Sequence, residues 1–111
     1  MRPAQLVILL AFATSAAAGV FDDIGLTSLR QRPGALLANG AGVTVAQVEA
    51  AEDSAYAPDV GSADFTGKSF TFEGISRQPV SGHGTNIAAD IYGNNDGLAP
   101  GVKKILLFSS D

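Results

Sequence analysis

One histidine, His83, is the first candidate for chemistry in this sequence. It stands in the run Gly82-His83-Gly84-Thr85, two residues after Ser81. An imidazole can take the proton of a hydroxyl near neutral pH, and a carboxylate can hold the ring in one tautomer. Glu49 and Asp53, two of the eleven acidic residues, stand close behind an apolar segment. These residue types can carry acid–base chemistry if the fold brings them to the histidine.

Composition excludes several other kinds of site. The chain of 111 residues has no cysteine, which rules out a disulfide scaffold, a thiol nucleophile and cysteine-ligated zinc or iron. A single histidine excludes the usual zinc sites with two or three histidines. Seven basic against eleven acidic residues give a net charge of −4, so we expect no nucleic-acid partner.

The first 18 residues have the pattern of a secretory signal peptide. Arg2 precedes an apolar run at residues 6–13, and Ala16 and Ala18 have the small side chains that suit cleavage before Gly19. The run is too short to span a bilayer, although an uncleaved anchor or a buried helix is the alternative. We expect a secreted or periplasmic protein without membrane contact after cleavage, with a lead segment at 19–39 and the main domain at 40–111.

Two apolar segments are predicted to be buried strands that position these groups. Residues 43–48 are β-branched at alternate positions and mostly apolar on both faces, which favours a strand covered by helices on both sides. Residues 103–108 form a similar run, and a shorter strand is predicted from Lys68 onwards. Glu49 directly follows the first strand, at the end where ligand chemistry gathers in parallel sheets.

A helix is predicted between the last two strands, at residues 83–92. Gly82 or Thr85 stands at its start, Ile87, Ala88 and Ile91 form an apolar stripe, and Gly93 ends it. A helix between two buried strands predicts a parallel crossover and an α/β fold. Residues 94–97 predict a turn. In the lead segment, a short helix is predicted from Asp22-Asp23, with a further turn at 35–38.

Four segments between residues 40 and 108 together resemble the subtilisin-like serine peptidases. In that family a buried strand ends in the catalytic aspartate, a second acid follows four residues later, and Gly-His-Gly-Thr-x-Val-Ala carries the catalytic histidine. The matching segments here are Gly42-Val43-Thr44-Val45-Ala46-Gln47-Val48-Glu49, Tyr56-Ala57-Pro58-Asp59-Val60, Gly82-His83-Gly84-Thr85-Asn86-Ile87-Ala88 and Gly97-Leu98-Ala99-Pro100-Gly101-Val102. Ala50-Ala51 depart from the family, which has Thr-Gly after the first acid.

The resemblance implies a fold and roles for two residues. The fold is part of a doubly wound parallel sheet, with two or three strands and helices. His83 is the general base and acid, and Glu49 orients it in place of the family's aspartate. Glutamate is longer by one CH₂, so it reaches the ring from a different backbone position, and glutamate serves in this role in some triads. Asp53 is the rival, but the register of the strand favours Glu49. Gly82 and Gly84 are expected to leave room for substrate.

The serine of the triad is missing from the sequence. The family carries it far downstream in Gly-Thr-Ser-x-Ala, which is absent here, as is the region of the oxyanion-hole asparagine. Ser81 shares a loop with His83, so we expect no productive attack from it. We therefore expect an N-terminal fragment of a secreted subtilisin-like serine endopeptidase, inactive alone and acting on a peptide or protein substrate if completed.

No cofactor is assigned from the sequence. Calcium binding is common in the family, but the loop at residues 93–97 is too short and too poor in acids for ligands to be assigned. Two other functions stay open: a non-catalytic secreted module that binds peptides by strand addition, and one chain of a split peptidase whose partner supplies the serine.

Overall fold

A computed structural model describes residues 19–32, 39–73 and 79–110 of the chain. The predicted signal peptide at 1–18 and the predicted turn at 35–38 lie outside the described residues. The elements, in chain order, are the helices α1 (Val20–Asp23) and α2 (Leu26–Arg30), strand β1 (Thr44–Glu49), a 3₁₀ turn (Ala63–Phe65), strand β2 (Ser69–Phe72), helix α3 (Gly82–Tyr92) and strand β3 (Lys104–Ser109).

The three strands form one parallel sheet in the order β1-β3-β2. Thr44 pairs with Lys104 and Glu49 with Ser109, so β1 and β3 are in register over their whole lengths. Strand β2 pairs with the other side of β3. The prediction of an α/β fold with parallel crossovers is confirmed. The predicted turn at 94–97 is also found, directly after α3.

One face of the sheet is covered and the other is open within the described residues. Alternate residues of β1, at positions 45, 47 and 49, are more buried than their neighbours. Val48, on the opposite face, is 59% exposed, and its partner Phe108 is only partly buried. The prediction that β1 is buried on both faces is therefore wrong. The physical reason is that α3 packs beneath Gln47 and Glu49, while no described element covers Val48.

Aromatic side chains fill the space between the sheet and α3. The ring centroids of Phe65, Phe70 and Tyr92 lie 5.8 to 6.1 Å apart, at tilted or edge-on angles that favour aromatic contact. Ile105 and Leu107 of the central strand complete this core with their side chains fully buried. The Tyr92 ring of this core reaches Gln47 of β1 through its hydroxyl.

Helix α3 packs through a different stripe from the one predicted. Its buried residues are Gly84, Ala88 and Tyr92, which are spaced four apart and so share one face. Of the predicted stripe only Ala88 is fully buried, and Ile91 is 38% exposed. Small side chains in the first two turns let the helix approach its neighbours closely. The predicted end of the helix at Gly93 is confirmed.

The lead segment forms two short helices where the sequence predicted one. Gly25 takes a left-handed conformation (φ 75°), which separates α1 from α2. The Arg30 guanidinium donates a hydrogen bond to the carbonyl oxygen of Leu98 (3.0 Å), so α2 is attached to the loop that follows α3. No helix among the described residues has the length and apolar character to span a bilayer.

Substitutions on the two faces of the sheet should differ in cost. Val48→Thr keeps a β-branched side chain on the open face and should change the free energy of unfolding by less than about 0.5 kcal/mol. Leu107→Ala empties a fully buried site and should lower it by about 2–5 kcal/mol. Urea unfolding measures both. A loss above about 1.5 kcal/mol for Val48→Thr would mean that the second face is covered as well.

Candidate active site

The side chains of Glu49 and His83 meet at the carboxyl end of β1. Glu49 is the last residue of β1, and His83 is the second residue of α3. The Oε2 atom of Glu49 lies 3.3 Å from Nε2 of His83. The carboxylate is 13% exposed and the imidazole 64% exposed. The structure thus places the acid behind the ring and leaves the ring open to solvent on its other side.

Asp53, the rival acid, lies elsewhere. Glu52 and Ala55 exchange two backbone hydrogen bonds (3.0 and 2.8 Å), which closes a tight turn with Asp53 and Ser54 at its tip. Both tip residues have positive φ (50° and 69°), the conformation of a type I′ turn. Asp53 is exposed there and forms no ion pair with the imidazole of His83, both residues being in the described part of the chain.

The Glu49 carboxylate contacts Nε2 of His83, the ring nitrogen farther from the backbone. In the well-studied serine peptidase triad the acid bonds to Nδ1, and Nε2 takes the proton of the serine hydroxyl. Here the longer side chain of Glu49 contacts Nε2 of His83. If Nε2–H faces the carboxylate, Nδ1 is the nitrogen free to accept a proton. Because the imidazole is largely exposed, solvent screens this ion pair, which contributes only about 0–1 kcal/mol to stability.

A serine cap fixes where α3 begins. The Ser81 hydroxyl oxygen accepts a hydrogen bond from the backbone N–H of Gly84 (3.0 Å), so Ser81, rather than Gly82 or Thr85, is the N-cap. Thr85 donates its own hydroxyl to the carbonyl oxygen of Ser81 (2.7 Å) and accepts from the backbone N–H of Asp59 (2.9 Å). The Ser81 side chain is buried and serves the helix start.

Gly84 is required for packing. A Cβ on this residue would stand 2.5 Å from the carbonyl oxygen of Tyr56, which is closer than real atoms approach. The prediction that Gly84 leaves room for substrate is therefore wrong, because the backbone of Tyr56 occupies that space. Gly82 has nothing within 4 Å of the position of its missing side chain, so the space beside it is open.

A buried glutamine, Gln47, holds the carboxylate from behind. Its Nε2 donates to Oε1 of Glu49 (2.9 Å) and to the carbonyl oxygen of Gly84 (3.0 Å). Its Oε1 accepts from the hydroxyl of Tyr92 at the far end of α3. Neither Gln47 nor Tyr92 is predicted from the sequence as part of the site. The two-residue period of the strand is the signal for Gln47, since it puts this polar residue on the same face as Glu49.

The Tyr92 hydroxyl acts as a neutral donor. Burial raises the pKa of Tyr92 well above the usual range of a phenol, and the nearby charge of Glu49 raises it further. The phenol therefore keeps its proton at neutral pH and can donate it to Gln47. No buried side-chain nitrogen or oxygen of the described residues lacks a hydrogen-bond partner.

Comparisons with protein-family models, with curated proteins and with solved structures give no match to this chain. Among the described residues, no group of three or more His, Cys, Asp or Glu side chains is placed to hold a metal ion. The site is therefore defined by its own geometry: an exposed imidazole, a nearly buried carboxylate and a buried amide behind it.

Two glycines of the same helical turn provide a matched test of this geometry. Gly84→Ala should lower the free energy of unfolding by about 1–3 kcal/mol, because the added methyl group forces α3 away from Tyr56. Gly82→Ala should be neutral or stabilising by up to about 1 kcal/mol, since alanine is the better helix former and the space is open. Thermal or urea unfolding measures both, and equal costs would contradict the packing described for Gly84.

Proposed function

We propose that this chain is the N-terminal part of the catalytic domain of a secreted subtilisin-like serine endopeptidase. In the completed enzyme His83 takes the proton of a serine hydroxyl as it attacks a peptide carbonyl, and later gives it to the leaving amine. Glu49 orients the ring and stabilises its protonated form. The chain supplies two of the three groups and no serine nucleophile, so it should not cleave peptides alone.

The contact between Glu49 and His83 carries this proposal. The two residues are 34 positions apart, and the family resemblance alone predicts that they belong to one site. The imidazole of the pair is 64% exposed, so solvent screens the contact and it adds little stability. The start of α3 and the buried Gln47 nevertheless hold both groups at one sheet edge. In open parallel α/β sheets, ligands bind at the carboxyl ends of the strands, which is where this pair lies.

The open face of the sheet supports the view that further polypeptide completes the domain. Val48 is exposed, and Leu106 and Phe108 on the same face of β3 are only partly buried. Exposed apolar faces of this kind usually mark a contact with further protein. In a doubly wound fold helices cover both faces of the sheet.

A second candidate function uses the outer edge of β1. In the order β1-β3-β2, strand β1 lies at one edge of the described sheet, and its outer side has no strand partner there. A peptide could add as a further strand at such an edge without any catalysis. The Glu49–His83 contact is not needed for this function, whereas the peptidase requires it.

Completion of the chain tests the proposal. The reading frame downstream of the Asp111 codon, or a separate partner chain, should encode Gly-Thr-Ser-x-Ala. The completed protein should hydrolyse a fluorogenic peptide and react with a fluorophosphonate, while the 111-residue chain should do neither. His83→Ala and Glu49→Gln in the completed protein should each lower kcat by about 10³–10⁴-fold or more.

Asp53→Asn is the matched control. It removes the charge of the rival acid at the exposed turn and should leave kcat within about twofold of the unsubstituted protein. Hydrolysis that survives His83→Ala, or that is lost with Asp53→Asn and kept with Glu49→Gln, would contradict the proposed roles. Peptide binding without hydrolysis by a stable monomer would favour strand addition.

A further inference from the structure

We propose that Gln47 and Tyr92 are positioning residues that orient Glu49 toward His83, an inference that rests on the proposed function of this pair. Neither residue forms a hydrogen bond with the imidazole, and all three residues lie in the described part of the chain. Both act through the carboxylate: Tyr92 holds the amide of Gln47, and the amide holds Oε1 of Glu49, which leaves Oε2 to face the ring.

The hydrogen-bond capacity of Gln47 fixes the direction of its amide. A glutamine amide has two donor hydrogens on nitrogen and an acceptor oxygen. The two acceptors on one side, the Glu49 carboxylate and the carbonyl oxygen of Gly84, both require the nitrogen. The Tyr92 hydroxyl can donate or accept, and it donates to the oxygen that then faces it. The reverse orientation would set the amide oxygen against two acceptors, so these two acceptors select one orientation.

Burial makes this arrangement rigid. Gln47 is 5% exposed, so water cannot easily replace any of its partners. The Gly84 carbonyl that it bonds belongs to the first turn of α3, next to His83. One side chain therefore bonds both to the acid and to the backbone that carries the base. Gln47 thereby sets the position of the Glu49 carboxylate relative to the backbone that carries His83.

Nuclear magnetic resonance of the single histidine tests this role directly. The ¹⁵N shifts of the two ring nitrogens in deprotonated His83 give the ratio of the Nε2–H to the Nδ1–H tautomer. A carboxylate on Nε2 favours Nε2–H. Glu49→Gln, Gln47→Leu and Tyr92→Phe should each lower the ratio by about two- to tenfold, the factor that corresponds to one hydrogen bond. Gln31→Leu, an exposed glutamine outside the network, is the matched control and should leave it unchanged.

A double substitution separates positioning from general destabilisation. If Gln47 acts through the carboxylate, Gln47→Leu should have no further effect on the tautomer ratio in a Glu49→Gln background. A purely structural role would lower the unfolding midpoint and leave the ratio of the folded protein unchanged. Tyr92→Phe removes a single oxygen, so it provides a folded variant should Gln47→Leu fail to fold.

The outcomes distinguish this inference from the proposed function. If Glu49→Gln shifts the tautomer ratio while Gln47→Leu and Tyr92→Phe do not, the positioning role is overturned and the Glu49–His83 pair stands. If Glu49→Gln also leaves the ratio unchanged, the pair does not exist in solution, and the proposed acid–base roles fall with it.

Discussion

The site depends on one buried amide. Gln47 lies within a strand, where an unsatisfied polar side chain would cost about 1–3 kcal/mol, so its bonds to Glu49, Gly84 and Tyr92 must all be kept. Those bonds connect the end of a strand to both ends of the following helix. Gln47 therefore holds one oxygen of the Glu49 carboxylate, and the other oxygen lies 3.3 Å from the imidazole of His83.

The parts of this arrangement differ in what they do for stability. The exposed Glu49–His83 contact adds little, and its loss should leave the fold intact. The buried bonds of Gln47 and the close approach of Gly84 to Tyr56 are structural, because they cannot be broken without exposing polar groups or moving the helix. Contacts that the fold requires thus hold in place a pair of groups that itself adds little stability.

Much of the fold was predictable because local patterns determine it. The apolar runs that became β1 and β3, and the end of α3 at Gly93, follow from periodicity and from glycine. The pairing of Glu49 with His83 followed from strand register together with family resemblance. The rest depended on packing that spacing does not reveal. The stripe of α3 shifted to Gly84, Ala88 and Tyr92 because close approach favours small residues, and the buried role of Gln47 emerged only when its partners were placed.

A crystal structure that resolves side-chain orientation is the most direct test of the central claim, which is that Glu49 and His83 form one site on a buried amide. This account predicts the Glu49 carboxylate within about 3.5 Å of the His83 ring, in hydrogen-bond or ion-pair range, with the Gln47 amide nitrogen on its other oxygen. A His83 ring turned into solvent with Glu49 bound elsewhere, or paired with Asp53 instead, would contradict it.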